Sequence, residues 1–474
     1  MIGFVIIDSL YQNHTLSHYG WFQVVDVLLV NPYFNEELDK SIFRYPPLGI
    51  GYLASVLRIN GFEVDIIDCT FSRMDQVLNN IREIQPKIVG IYSMVTINHH
   101  ALDIANQIRN EVELLVVGGP LPTLVPEHFL DIFDVVVLNE GEETFLELVR
   151  RFLNGVPWNE TKGIAFKHDN GQILKTKKRP FEKNLDTIPF PARDLFPNHA
   201  YQKYWKVLHG YTSTSMMTTR GCPYNCDFCS NPVFGRSYRE RSAQNVYEEM
   251  VEIKQLGYDR VFFQDDCFTL SPNRTHELCD MLIENPIGLN WMCLSRADTL
   301  TQDLAEKMYQ AGCKRIFFGI ESGDPRILRI MNKQIIPEDA KIAIQNASRT
   351  GMETGAFFIL GYPGETNDSL LRTVNFSSKL PVDYLSYSFP YPIYGTGLYK
   401  KVRNKITNPE WRKQRGKSGR HQLLFQSDFS EIKLRLAKHK GVIQHQLLRM
   451  YSHLGFACEI VFENISDRIL SIMR

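Results

Sequence analysis

The sequence predicts an α/β protein in which an open, doubly wound parallel sheet is followed by a partial (β/α)6 barrel and a small helical C-terminal region. Three observations predict it. Short runs of Val, Ile and Leu recur without polar alternation, the pattern of strands buried on both faces. Amphipathic stretches with ordinary helix stops lie between them. The rhythm occurs twice, in 26–155 and again in 206–400, within a chain of 474 residues that is too long for one core.

In the first block the runs 27–30, 64–67, 88–92, 114–117 and 135–138 read as five parallel strands. Helices at 48–60, halted by Gly61, and at 72–84, halted near Pro86, alternate with them. Such an alternation is of flavodoxin-like type. Residues 156–205 read as a connector containing a hairpin, 163–166 and 173–176, turned at Asp169-Asn170-Gly171. In the second block strands are expected at 213–219, 260–263, 289–294, 315–319, 354–360 and 384–389. Helices between them run 242–256, from Thr301 to Gly312, and from Pro337 to Gly351. Six such units are too few to close an eight-fold barrel, so a partial barrel with its chemistry at the C-terminal strand ends is expected. Residues 1–25 read as an extension, and 401–474 as a basic loop followed by one or two amphipathic helices.

Composition narrows the function. An apolar content of 44% supports large cores and excludes a mainly disordered chain. With 53 basic and 53 acidic residues, no polyanion dominates binding, and nucleic acid is not expected as a partner. No apolar run approaches the roughly 18 residues of a membrane span. Residues 1–7 are apolar, but no basic residue precedes them and Asp8 cuts them short, unlike a signal peptide. Of nine cysteines, six are scattered and three fall within eight residues. A secreted disulfide framework would be denser. The expectation is a cytoplasmic protein with reduced thiols and one metal site.

That site is Cys222, Cys226 and Cys229, a C-x3-C-x2-C loop directly after the first barrel strand. Soft thiolates at this spacing can surround one iron–sulfur cubane, and three of them leave one iron open. Structural zinc would need a fourth ligand, normally from a second cysteine pair, which is missing here. With Phe228 just before the last cysteine, the segment resembles the signature loop of the radical S-adenosylmethionine (SAM) superfamily. The resemblance implies that Cys222, Cys226 and Cys229 hold a [4Fe–4S] cluster whose open iron is chelated by SAM. An electron, from a donor such as a flavodoxin or ferredoxin, then cleaves SAM to methionine and a 5′-deoxyadenosyl radical. Phe228 would lie against the adenine.

Later strands end in polar sets: Gln264-Asp265-Asp266, Ser295-Arg296-Ala297-Asp298, Glu321-Ser322-Gly323 with Asn332-Lys333, and Gly361-Tyr362-Pro363-Gly364-Glu365. A strand-end carboxylate can accept from ribose hydroxyls or an ammonium, and an arginine can fork a carboxylate. These blocks resemble the branch of the superfamily in which such a barrel follows a cobalamin-binding domain. Asp265, Ser295, Arg296 and Glu321 are carried over as SAM-contacting positions.

In the first block Gly49-Ile50-Gly51-Tyr52-Leu53-Ala54 matches a dinucleotide fingerprint, yet about 18 residues separate it from Val30, whereas the glycine turn must follow the strand at once. Gly49 and Gly51 are instead expected to permit close helix packing. Ser93 and Thr96, Gly118-Gly119, and Glu140-Gly141-Glu142 lie at C-terminal strand ends, where open sheets bind ligands. With the Pro46-Pro47-Leu48-Gly49 entry, their order resembles the cobalamin-binding domain of that branch and implies cobalamin contacts at those seven residues. Two features depart from the pattern. No Asp-x-His-x-x-Gly occurs, implying cobalamin without a histidine lower ligand, and Leu121 stands where relatives usually carry His.

The resemblance as a whole implies a cobalamin-dependent radical SAM enzyme acting on a small molecule, with C-methylation of an unactivated carbon as its reaction. Cyclisation, ring rearrangement or oxidation with the same cofactors is the alternative outcome. A non-catalytic iron–sulfur sensor would need only the cysteine loop and would have no use for the strand-end sets. His99, His100, His128 and His209 are read as solvated or hydrogen-bonded residues. The basic segment 412–420 is read as a solvated loop.

Overall fold

A computed structural model describes residues 25–34, 41–230, 233–407, 423–450 and 454–473; the expected N-terminal extension (but for Val25) and basic loop lie outside the described residues. The chain forms two compact units that divide at Met216 and Met217, the first also taking in Gln255–Arg260.

The first unit is built on strands β1 (Val27–Asn31), β2 (Val64–Asp68), β3 (Ile88–Tyr92), β4 (Leu114–Gly118) and β5 (Val135–Val137). They pair in parallel in the order β2-β1-β3-β4-β5. β1, β2 and β5 are buried along their whole length, which is why their sequences show no alternation. The expected hairpin forms as β6 (Ile164–Lys167) and β7 (Ile173–Lys175), but it is no detached connector. β6 pairs antiparallel with β5 and makes a seven-stranded sheet, because β5 would otherwise be an exposed apolar edge. Helix Leu48–Ile59 carries Gly51 against the Phe196 ring, where a Cβ would come within 2.8 Å. Gly49 faces open space, so close packing explains only the second glycine.

The second sheet is built from β8 (Ser213–Met216), β11 (Arg260–Phe263), β12 (Asn290–Ser295), β13 (Cys313–Glu321), β14 (Glu353–Ile359) and β15 (Tyr384–Ser388). Their spatial order is β15-β14-β13-β12-β11-β8. β12 to β15 run parallel. The strand expected at 213–219 breaks after Met216, and Thr219–Arg220 (β9) pairs instead with Arg239–Glu240 (β10). Helices Glu431–Met450 and Leu454–Ile472 end the chain. Among the described residues no helix is long and apolar enough to cross a membrane.

Candidate active site

The strand break starts the site. Asp265, fully buried beyond the end of β11, accepts from the backbone amides of Thr218 (2.7 Å) and Thr219 (2.9 Å) and from the Thr218 hydroxyl. Burial pushes its carboxyl upward, while Arg274 and these bonds pull the other way. Both oxygens are spent on the chain entering the cysteine loop. Asp265, expected from the sequence as a SAM contact, thus also positions that loop. Next comes Gly221 at φ +78°, where a Cβ would lie 2.4 Å from the Ser237 carbonyl, so only glycine allows this entry.

Beyond it, the half-buried thiols of Cys222, Cys226 and Cys229 are not joined in disulfides. The loop between them is pinned from segments that follow β13, β14 and β15. The Asp227 amide donates to Met331 O (2.8 Å), and its carboxylate takes the Tyr362 hydroxyl (2.6 Å) and Lys401 (2.7 Å). Asn332 Nδ2 donates to Asn225 O at 2.7 Å. Phe228 packs among Ile327, Met331, Ile359, Tyr362 and Leu398, partly buried. Among the described residues no three His, Cys, Asp or Glu side chains close on a single-ion position. The fit for a cluster rests on the donor set: three thiols on one fixed loop with cations beside them. Burial pushes the Cys226 thiol up, and neighbouring Lys333 and Arg296 pull it down.

Arg296 is buried and heavily engaged. Its guanidinium forks onto Asp298 (2.9 and 3.0 Å), donates to Lys333 O (3.0 Å), and lies 3.5 Å from the Tyr224 ring centre. Ser295 shares its hydroxyl with Thr269 and Thr299. Both residues hold elements together, which the sequence reading of them as ligand contacts did not anticipate. Glu321 differs. It ends β13 at φ +74°, after a register shift between Gly319 and Glu321, and among the described residues its Oε1 is tied to Lys333 at 3.1 Å. A non-glycine residue held in the left-handed region marks a place where the fold tolerates strain, as ligand sites do. Gly319 makes the room, since a Cβ there would fall 2.6 Å from Glu321 Oε1 and 3.2 Å from Lys333 Nζ. Lys333 itself, flanked by left-handed Asn332 and Gln334, was seen in the sequence as part of a polar set but not assigned a role. Nothing local marks it, because its partners are 12 residues away and across the loop.

In the first unit the C-terminal ends of adjacent strands β3, β4 and β5 gather the other expected residues. Ser93 is fully buried, and its hydroxyl has no partner among the described residues. Thr96 is exposed in the following turn. Gly119, at φ +118°, passes so close to Ser93 O that a Cβ would meet it at 2.5 Å, whereas Gly118 has no neighbour nearer than 3.7 Å. Glu140 accepts from the Glu182 amide at 3.2 Å, Gly141 precedes helix Glu142–Leu153, and Glu142 opens it. An orphaned buried hydroxyl beside a bare glycine backbone fits a broad, polar-edged ligand.

Comparison with known proteins gives both constellations a family. Residues 216–377 match the radical SAM superfamily and residues 38–149 the B12-binding domain. An uncharacterized methyltransferase, PH0819, of Pyrococcus horikoshii is 34% identical over 406 residues, covering 82% of this chain and 86% of that one. The chain belongs to the cobalamin-binding radical SAM family. Cytidylyl-2-hydroxyethylphosphonate methyltransferase of Streptomyces wedmorensis is 29% identical over 81% of this chain and 83% of its own. The structure of OxsB, a cobalamin-dependent SAM radical enzyme with aqua-cobalamin and SAM bound, superposes with a TM-score of 0.73. It covers 94% of this chain and 72% of that one at 18% identity, which speaks for the fold. This cobalamin-binding radical SAM protein is thus an enzyme, and the curated relatives named above are methyltransferases.

Proposed function

We propose that the enzyme methylates an unactivated carbon of a small-molecule substrate, using a [4Fe–4S] cluster, SAM and cobalamin. The observation that carries this is a pinned three-thiol loop with cations beside Cys226, in a chain whose other unit matches the B12-binding domain. When bound, the cluster and SAM supply a 5′-deoxyadenosyl radical and the corrinoid a transferable methyl group.

The chain's own residues do the rest. Cys222, Cys226 and Cys229 hold three irons and leave the fourth for SAM. Glu321, with one oxygen on Lys333, offers the other to the SAM ammonium or ribose. Phe228 flanks the adenine. Asp265, Ser295 and Arg296 keep the loop and strand ends in place. Ser93, Thr96, Gly118, Gly119, Glu140, Gly141 and Glu142 border the corrinoid, which is held without a histidine lower ligand. The electron comes from a flavodoxin or ferredoxin, and the protein works in the cytoplasm, where its thiols stay reduced.

The test is anaerobic reconstitution with iron, sulfide and hydroxocobalamin, followed by SAM carrying a labelled methyl group. About four irons per chain, 5′-deoxyadenosine formation, and label in a carbon-bound methyl of an extracted metabolite are expected. SAM cleavage surviving Cys226→Ala would sink the cluster assignment, and an unlabelled, rearranged product would replace methyl transfer by cyclisation.

A further inference from the structure

The cysteine loop is backed by a short helix whose other side carries unpaired positive charge. Asp227, between Cys226 and Phe228, accepts the Leu398 amide through its backbone carbonyl at 2.9 Å. Its carboxylate lies so close to Gly397 that a Cβ there would overlap it. These two contacts seat helix Gly397–Val402 on the loop. Lys401, on the same helix, donates to the Asp227 carboxylate at 2.7 Å and to Ile330 O at 3.3 Å. The second bond ties in helix Pro325–Ile330, whose Ile327 and Ile330 pack with Leu398, Val402 and Phe228 in one apolar cluster.

Away from that cluster the two helices are cationic. Arg326 and Arg329 share one helical face and are exposed, as are Lys400, Lys401, Arg403 and Lys405. Among the described residues, Lys401 is the one of these six with a carboxylate partner. The stretch 397–407 holds no acid, and Asp324 is buried, capping its own helix and taking Arg372. The segment bridged to Ile406 at Phe425 leads to Asp428 and Glu431, and Glu431 is bound to Arg435. The chain as a whole balances 53 basic against 53 acidic residues, so the patch is a local concentration. Such a patch steers an acidic partner into contact. Nucleic acid fits it less, since that partner calls for a domain with a broad net positive charge. Position then selects among acidic partners, because the helix rests on Asp227, the residue next to Cys226.

We propose that the outer face of helices Pro325–Ile330 and Gly397–Val402, continued to Lys405, is the docking surface for a small acidic electron-carrying protein that reduces the cluster from the Asp227 side of its loop. This rests on the catalytic reading and names the place where its electron enters. The step is a single-electron transfer: the donor's reduced centre is oxidised, the cubane is reduced, and no group moves. The test uses the full-length reconstituted protein and an acidic bacterial flavodoxin, with dithionite as a reductant that needs no docking surface. Calorimetry should show flavodoxin binding that weakens with salt. Lys400→Glu, Arg403→Glu should lower that affinity about tenfold or more, and Arg326→Glu, Arg329→Glu on the other helix should do the same. Flavodoxin-driven 5′-deoxyadenosine formation should fall in step, while the dithionite-driven rate stays at the wild-type value. Wild type that binds no flavodoxin, or affinity unchanged in both variants, would overturn the proposal. So would an oligonucleotide whose binding the reversals abolish while flavodoxin binding persists, which would assign the patch to nucleic acid. Wild type that binds flavodoxin but cleaves no SAM even with dithionite would sink the catalytic reading instead, and the affinities would still decide where the acidic protein docks.

Discussion

At the scale of single residues, the chemistry converges on Glu321, Lys333 and the backbone that makes room for them. The carboxylate stands at a strained left-handed residue and uses one oxygen to hold a buried lysine. Gly319 has ordinary backbone geometry, so alanine costs nothing in φ, yet its methyl would press on Glu321 Oε1. Gly319→Ala should therefore displace the carboxylate while leaving the fold nearly intact. SAM affinity should fall by about tenfold, the effect of losing one charge-assisted hydrogen bond. Equilibrium dialysis against SAM reads this, with the melting temperature of the unloaded protein as control. Unchanged affinity would remove Glu321 from the SAM site. The same scale shows what spacing alone can reveal. Three cysteines within eight residues describe a site because all their partners are near in sequence. The loop-holding bonds of Asp265 could not be read that way, because its partners, Thr218 and Thr219, are 47 and 46 residues away.

At the scale of elements, strand-end polar residues divide into those that face a ligand and those that tie a turn. Glu365 is the clearest of the second kind. Its Oε2 takes the Gly361 amide at 2.6 Å, and its Oε1 is buried with no partner among the described residues. Burial pushes its carboxyl from 4.5 to about 8. The folded state thus holds this proton more tightly than the unfolded chain does. The stability it contributes is complete below about pH 4.5 and is lost as pH rises through about 8. Glu365→Gln keeps an acceptor for Gly361 and cannot ionise. Between about pH 5 and 8 the wild type should lose melting temperature relative to this variant. Parallel curves in thermal scans would show that the carboxyl is not held neutral. Asp227 tests the loop's other anchor. Asp227→Ala removes the acceptor for Tyr362 and Lys401, and iron retained per chain after reconstitution should fall by about half or more. Full retention would mean that Met331 and Asn332 suffice to pin the loop. Elements were legible from sequence wherever burial on both faces leaves a continuous apolar run, as in β1 or β11. They were not where a distant side chain decides: Asp265 cuts the strand at Met216, and β5 recruits a hairpin that local turn chemistry announced without saying where it would pair.

At the scale of the whole molecule, the two cofactors belong to units with separate hydrophobic cores, one around Leu29, Val116 and Phe145, the other including Ile327, Met331 and Leu398. Domains with their own cores can fold by themselves. The triple variant Cys222→Ala, Cys226→Ala, Cys229→Ala should lose its iron and keep corrinoid within about twofold of the wild type. Corrinoid lost along with the iron would show that the first unit's binding depends on the second. The same iron-free protein isolates the corrinoid signal and decides the lower axial position. His99 and His100 open helix Asn98–Ile108 just past the β3 edge, with rings 3.9 Å apart, and His100 meets the Phe34 ring edge-on at 4.8 Å. His128 lies 3.4 Å from Asn98 Nδ2. These contacts engage the three imidazoles in packing, and no Asp-x-His-x-x-Gly segment occurs in the sequence. Paramagnetic resonance of the reduced corrinoid should accordingly show no splitting from a protein nitrogen, and labelling histidine with ¹⁵N should leave the spectrum unchanged. A splitting that follows the label would put one of these three histidines on the metal.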